Sequence, residues 1–164
     1  MTRSRTALTI LAAVALASGA AARDSLGVYG QWGAFEDGAR SCYAISQALP
    51  SSARRDSQPY VTVSTWPGRG VRGQVHLRLS RDTGDDAAPA LRIGDRRFAL
   101  TGGGNNAWSA DRRMDAAILS AMRSAGRMSV SARVRQGRRF SDSYSHDGAA
   151  TAMEAAAIAC ARRR

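Results

Sequence analysis

Val71-Arg72-Gly73-Gln74-Val75-His76-Leu77-Arg78-Leu79-Ser80 alternates apolar (or glycine) and polar positions over its whole length. Successive residues of a strand point to opposite faces. The pattern therefore predicts a strand with Val71, Gly73, Val75, Leu77 and Leu79 on one side and Arg72, Gln74, His76, Arg78 and Ser80 on the other. One dry face and one wet face is how strands read in an antiparallel sheet packed on a single side. His76 falls on the wet face, where a solvated surface histidine is the simplest reading.

The same signal extends in both directions. Upstream, Tyr60-Val-Thr-Val-Ser-Thr-Trp66 alternates β-branched and polar residues and stops at Pro67-Gly68. Residues 41–48 read as another strand. Residues 28–35, with Tyr29, Trp32 and Phe35 among glycines, read as a first strand closed by the turn Glu36-Asp37-Gly38. Residues 50–59 form a polar loop with Arg54 and Arg55. Downstream, residues 81–89 are a loop whose Asp82, Asp85 and Asp86 do not match EF-hand calcium spacing. Leu91-Arg-Ile93 and Arg97-Phe98-Ala-Leu100 flank a tight Gly94-Asp95 turn. Gly102-Gly-Gly-Asn-Asn106 reads as a connector without the strand and helix context of a nucleotide loop.

Residues 107–160 predict helix, hairpin, helix. Asp111 is a good N-cap, Met114, Ile118, Ala121, Met122 and Ala125 form one stripe, and Gly126 is a stop. Met128, Val130, Ala132 and Val134 alternate with polar residues before a Gln136-Gly137 turn. Beyond it Phe140 and Tyr144 share a face with Asp142 between them. If that face is the core side, the Asp142 carboxylate needs donors or a cation, from Arg139 or another arginine. The alternative is an exposed aspartate on a ribbon. Asp147 is placed to cap a last helix with Met153, Ala156, Ala157 and Cys160 on one stripe, and Arg162 to Arg164 suit its C-terminus. Many short strands and two late helices imply one mainly β domain, an antiparallel β-sandwich with two α-helices in its C-terminal half.

Residues 1–22 are expected to lie outside that domain as a cleaved signal peptide. Arg3 and Arg5 precede an apolar run over 7–17, and Ala20-Ala21-Ala22 offers small residues for cleavage near Ala22. A retained anchor is the alternative, although the run is short for a membrane span. Export to the periplasm, the outer envelope or the medium would favour a disulfide between Cys42 and Cys160, the only two cysteines. The alternative is two buried free thiols. With His76 and His146 far apart, these cysteines show no metal-ligand spacing, and no cofactor motif is present.

The 24 basic side chains are all arginine against 13 carboxylates, and removing residues 1–22 takes away two arginines, leaving 22 − 13 = +9. A generic basic surface is the simplest reading of such a charge; read functionally it favours anionic partners, and export makes nucleic acid the least expected of them. Arg72 and Arg78 on one strand and Arg127, Arg133 and Arg135 on another are the candidate surface for an anionic partner. They would merge into one patch if the two strands were neighbours. A hydrolase reading rests on Ser145 and His146 in Asp142-Ser-Tyr-Ser-His-Asp147. Neighbours on a strand face opposite ways and no Gly-x-Ser-x-Gly elbow is present, so no catalytic residue is assigned.

The succession Cys42-Tyr43, Tyr60-Val-Thr-Val, Phe98-Ala-Leu, Ala107-Trp108, Ala121-Met122-Arg123, Gly126-Arg-Met128-Ser-Val130, Asp142-Ser-Tyr144-Ser and a terminal helix ending in Cys160 resembles the invasion-associated locus B family. These are exported proteins of Gram-negative, mostly alphaproteobacterial, cells. The resemblance covers nearly the whole chain after residue 22. It implies an immunoglobulin-like β-sandwich, no established enzymatic activity and no catalytic residues to transfer. Two readings of the partner stay open: a binding protein for anionic envelope components, or an adhesive or structural surface protein that engages a protein of the envelope or of a host cell. His146 and Ala149 stand where relatives tend to be apolar or aromatic, which implies looser packing of the last helix on the last strand.

Overall fold

The computed structural model describes residues 23–38, 40–84, 88–134 and 137–162. The expected signal peptide, Asp85, Asp86, Arg135, Gln136 and the last two arginines lie outside them. The chain runs β1 (Arg23–Tyr29), β2 (Trp32–Asp37), β3 (Ser41–Gln47), β4 (Tyr60–Trp66), β5 (Val71–Arg78), β6 (Ala90–Ile93), β7 (Arg96–Ala99), β8 (Thr101–Gly103), β9 (Asn106–Trp108), α1 (Arg112–Ser124), β10 (Arg127–Arg133), β11 (Arg139–Ser145) and α2 (Ala149–Ala161). A seven-stranded sheet has the order β1-β2-β3-β4-β5-β9-β8 and a four-stranded sheet the order β11-β10-β6-β7. Every strand pair is antiparallel. The mainly β sandwich with two helices late in the chain is therefore present.

The inner faces are built by the alternating apolar residues. Ala34, Ala44, Val61, Val63, Val75 and Leu77 come from the large sheet; Leu91, Ile93, Phe98, Met128, Val130 and Tyr144 come from the small one. Helix α2 lies across β1 to β4, and α1 contacts β5 in one sheet and β6 and β7 in the other. Asp111 caps α1 by accepting the Met114 amide at 2.8 Å. Cys42 on β3 and Cys160 in the last turn of α2 form a disulfide, with their Cα atoms 5.8 Å apart.

β11 is an edge strand of the small sheet, and two of its outward carbonyls are taken by groups in or beside the large one. The Ser143 carbonyl accepts from the Leu49 amide at 2.7 Å and the Ser145 carbonyl from Trp32 Nε1 at 2.8 Å. These bonds cover part of an edge that would otherwise be open to a foreign strand.

Four expectations need correction. Residues 28–35 hold two strands, because Gly30, at φ 53°, turns the chain between β1 and β2. The glycine-rich connector is itself the β8–β9 hairpin, and a Cβ at Gly102 would run into the backbone of β9. The N-cap of α2 is Gly148 rather than Asp147; at φ 80° it presses so closely on the Tyr29 carbonyl that no side chain fits. The fourth concerns β5. Ser64 pairs with Gln74 but Trp66 pairs with Val71, so β5 carries one extra residue at a bulge around Arg72 and Gly73. Gly73 takes φ +63° there, and beyond the bulge the faces exchange. Val71 joins Trp66 on the outer face, and Arg72 swings to the side of the helices.

Candidate functional site

The arginines picked from the sequence do not form one patch. β5 belongs to the large sheet and β10 to the small one, and their neighbours are β4 and β9 against β6 and β11. The bulge further separates Arg72 from Arg78. Arg78 lies on the outer face of the large sheet, opposite Tyr60 and Asn106, whereas Arg72 lines a cavity beside α1 and α2. Arg135 lies outside the described residues.

Arg127 and Arg133 do belong to a basic surface, and register supplies its other members. With Met128, Val130 and Ala132 of β10 and Asp142 and Tyr144 of β11 buried, the outer face carries Arg127, Ser129, Ser131 and Arg133 beside Ser141, Ser143, Ser145 and Arg139. β6 and β7 add Arg92 and Arg97, which project outward opposite Leu91, Ile93 and Phe98. Arg133 pairs directly with Arg139 and Arg92 with Arg97. All five arginines are exposed, and no carboxylate lies on these four strands' outer face. Like charges directly opposite each other destabilise a sheet, so this face carries a charge that its own fold does not neutralise. A depression of about 300 Å³ lies among Arg97, Ser131, Arg133 and Arg139. Round the β11 edge, a second depression of about 260 Å³ is lined by Arg54, Arg55, Arg81, Arg138 and Arg139. Two of these are committed to Asp56, Arg54 at 3.4 Å and Arg81 at 3.5 Å. Arg92, Arg97 and Arg139 alternate with apolar neighbours, a local signal that could place them outward; that they meet Arg127 and Arg133 depends on β6 pairing with β10, which no local pattern encodes.

Asp142 is the core-side carboxylate. Its Oδ2 accepts from the Ser80 amide at 2.9 Å, and its Oδ1 lies 3.7 Å from Arg55 Nε. The cation is Arg55 from the 50–59 loop, while Arg139 lies on the other face beside Arg133. Burial, and secondarily the Asp142 charge, push the Tyr144 phenol far upward, so it stays neutral. Asp115 on α1 is a second buried carboxylate, missed as one polar residue within an apolar stripe. It accepts from the Val75 amide at 2.8 Å, just where β9 stops pairing with β5, and from the Ser109 hydroxyl.

His76 lies on the outer face of the large sheet, as the alternation implies, but not as a solvated surface side chain. His76 is half-buried, with its ring 5.1 Å from that of Trp108 and Nε2 3.0 Å from Asn106 Oδ1. It belongs to a groove on the outer face of the large sheet that also holds Tyr43, Tyr60 and Trp66. Burial lowers its pKa, the Asn106 hydrogen bond opposes that, and the Arg78 charge lowers it further. His146 is buried and its Nδ1 lies 2.6 Å from the Ala125 carbonyl. A carbonyl only accepts, so the proton sits on Nδ1. Burial lowers this pKa too, partly offset by that bond. Ser145 Oγ accepts from the Asp147 amide at 3.1 Å. Both side chains of the hydrolase reading are thus engaged with backbone groups, and not with each other.

Among the described residues, no cluster of three or more histidine, cysteine or carboxylate groups could hold a metal ion, and no helix is long and apolar enough to cross a membrane. Comparison with family models, curated proteins and solved structures finds no match to the chain.

Proposed function

We infer that this chain is an exported envelope protein that works by binding rather than catalysis, and that it docks on anionic envelope components through the outer face of the four-stranded sheet. The resemblance to invasion-associated locus B proteins and the amino-terminal residues support export. The observation that carries the binding reading is the pair of directly opposed arginine couples, Arg133 with Arg139 and Arg92 with Arg97, on a face without a carboxylate. Guanidinium groups match phosphate and carboxylate oxygens in bidentate fashion, and the interleaved serines add short hydroxyl donors. A flat array of this kind suits a surface of many anionic groups, such as lipid phosphates, better than one small anion.

Co-sedimentation with phosphatidylglycerol-containing vesicles at low salt tests the reading, with pure phosphatidylcholine vesicles as the neutral comparison. Binding to the anionic vesicles is expected to fall at least about tenfold in Arg133→Glu/Arg139→Glu, and to weaken with added salt. Arg78→Glu, on the other sheet, should bind within about twofold of wild type. Equal binding of wild type and double variant, or equal binding to both kinds of vesicle, would overturn it.

A further inference from the structure

α1 and α2 both pack against the large sheet but over different strands, and a cavity of about 570 Å³ remains between them above β4 and β5. That volume falls within the range of small-molecule sites. Its walls include Val63, Leu119, Met153 and Ala156, and its rim carries Arg72 and Arg123. The lining contains no aromatic ring and no carboxylate. Both rim arginines are exposed, and neither has an ion-pair partner among the described residues.

Arg72 reaches that rim only because of the bulge. Regular alternation would leave it on the outer face with Gln74 and His76; the extra residue and the left-handed Gly73 turn it inward. Gly73 also packs closely against α1, since a Cβ there would stand 2.9 Å from Leu119 Cδ1. A sheet irregularity that brings a cation to the mouth of an apolar cavity re-aims a side chain, a known use of bulges beside binding sites.

We propose that this cavity binds a small amphiphile, a single aliphatic chain with an anionic head, the chain lying between α1 and α2 and the head held by Arg72 and Arg123. Two cations without a counterion call for an anionic group. Aliphatic walls including a methionine, which adapts its shape readily, suit a flexible chain better than a planar ring that would need aromatic stacking. The carboxylate of a free fatty acid and the phosphate of a single-chain lysolipid share this chemistry. The site is separate from the arginine–serine face, and either stands if the other fails.

Isothermal titration calorimetry with sodium dodecanoate and with lauroyl lysophosphatidate, both below micelle formation, tests the proposal and separates the two sources. Saturable one-to-one binding of either ligand is expected, with roughly tenfold weakening in Arg72→Gln or Arg123→Gln from loss of a charged hydrogen bond. Shortening the chain by two methylenes should also weaken binding roughly tenfold. Ala157→Phe, at an exposed lining position of α2, should fill the cavity and abolish binding while circular dichroism stays unchanged. Binding of the acid alone assigns a free fatty acid; binding of the lysolipid alone assigns a lipid phosphate. Absence of saturable binding of both, or dodecanol binding as tightly as dodecanoate with no effect of either arginine substitution, would overturn it.

Discussion

Asp142 on β11 accepts the Ser80 amide at 2.9 Å across 62 positions of sequence, tying the edge of the small sheet to the chain leaving β5 in the large one. The same carboxylate faces the Arg55 guanidinium, whose Nη2 donates to the Leu49 carbonyl at 2.7 Å. Removing the carboxylate strands a buried amide and an inward-facing cation together. Asp142→Ala is expected to lower stability by about 3 kcal/mol. Asp142→Asn keeps an acceptor for Ser80 and should cost roughly half of that. Urea denaturation of the two variants separates them; equal losses would mean that the Ser80 bond contributes little.

The Cys42–Cys160 bond closes a loop of 118 positions between β3 and the end of α2. Chain entropy sets a ceiling of roughly 5 kcal/mol on its contribution, and native disulfides in small domains are usually worth about 2–5 kcal/mol. Cys160→Ser should therefore unfold at markedly lower denaturant, with the same circular dichroism before the transition. Thiol titration of the unreduced, unfolded wild type should find no free cysteine. A full complement of titratable thiol would contradict the structure.

The parts of this fold that were legible in the sequence are those in which one residue type has one reason to be where it is. Alternation located β4 and β5, Asp111 announced α1, and two cysteines had only each other for an intrachain partner. What escaped was phase and pairing. The bulge at Arg72 and Gly73 does not interrupt the alternation, since a glycine serves as well at a bulge as on a dry face, yet it reverses the side to which Arg72 points. The basic face was half visible, because Arg127 and Arg133 share a strand while Arg92, Arg97 and Arg139 join them only through long-range register. Asp147 looked like a cap because its residue type suits one. Gly148 takes the position because the Tyr29 carbonyl leaves no room for a side chain.

That close approach makes Gly148→Ala informative. Alanine would have to adopt φ near 80° and also displace the β1–β2 turn, where the Gln31 amide donates to the Asp147 carbonyl at 3.0 Å. Strain at such a site costs about 1–3 kcal/mol, and the clash adds to it. The variant should lose stability clearly, and amide exchange should speed up in β1 and at the start of α2 before the β4–β5 core is affected. Uniform acceleration across all strands would mean that the contact is not local.

Both histidines are held with pKa values below the ordinary imidazole value, chiefly by burial, so the folded state binds fewer protons than the unfolded state as pH falls. Their contribution to stability is therefore fully present above about pH 6.5 and is lost as pH drops through that value toward the folded pKa values. The midpoint of thermal unfolding should fall between pH 7.5 and pH 5. His146→Asn retains a donor for the Ala125 carbonyl without a titrating ring, and should flatten the part of the slope due to His146. An unchanged slope would place the pH dependence elsewhere.

The facing pair Arg133 and Arg139 sets binding against stability. Two guanidinium groups directly across a sheet repel, and neither has a carboxylate partner among the described residues. Arg139→Ser, which extends the serine pattern of β11, should therefore raise stability by about 0.2–1 kcal/mol while weakening attachment to phosphatidylglycerol vesicles. The gain should be largest at low ionic strength and shrink with added salt, because both guanidinium groups are exposed and salt weakens interactions between exposed charges. If the face served only to keep the protein soluble, Arg139→Ser would still gain stability but lose no vesicle binding. Paired measurement of urea midpoint and vesicle affinity on this one variant thus separates a surface shaped for an anionic partner from one that is merely charged.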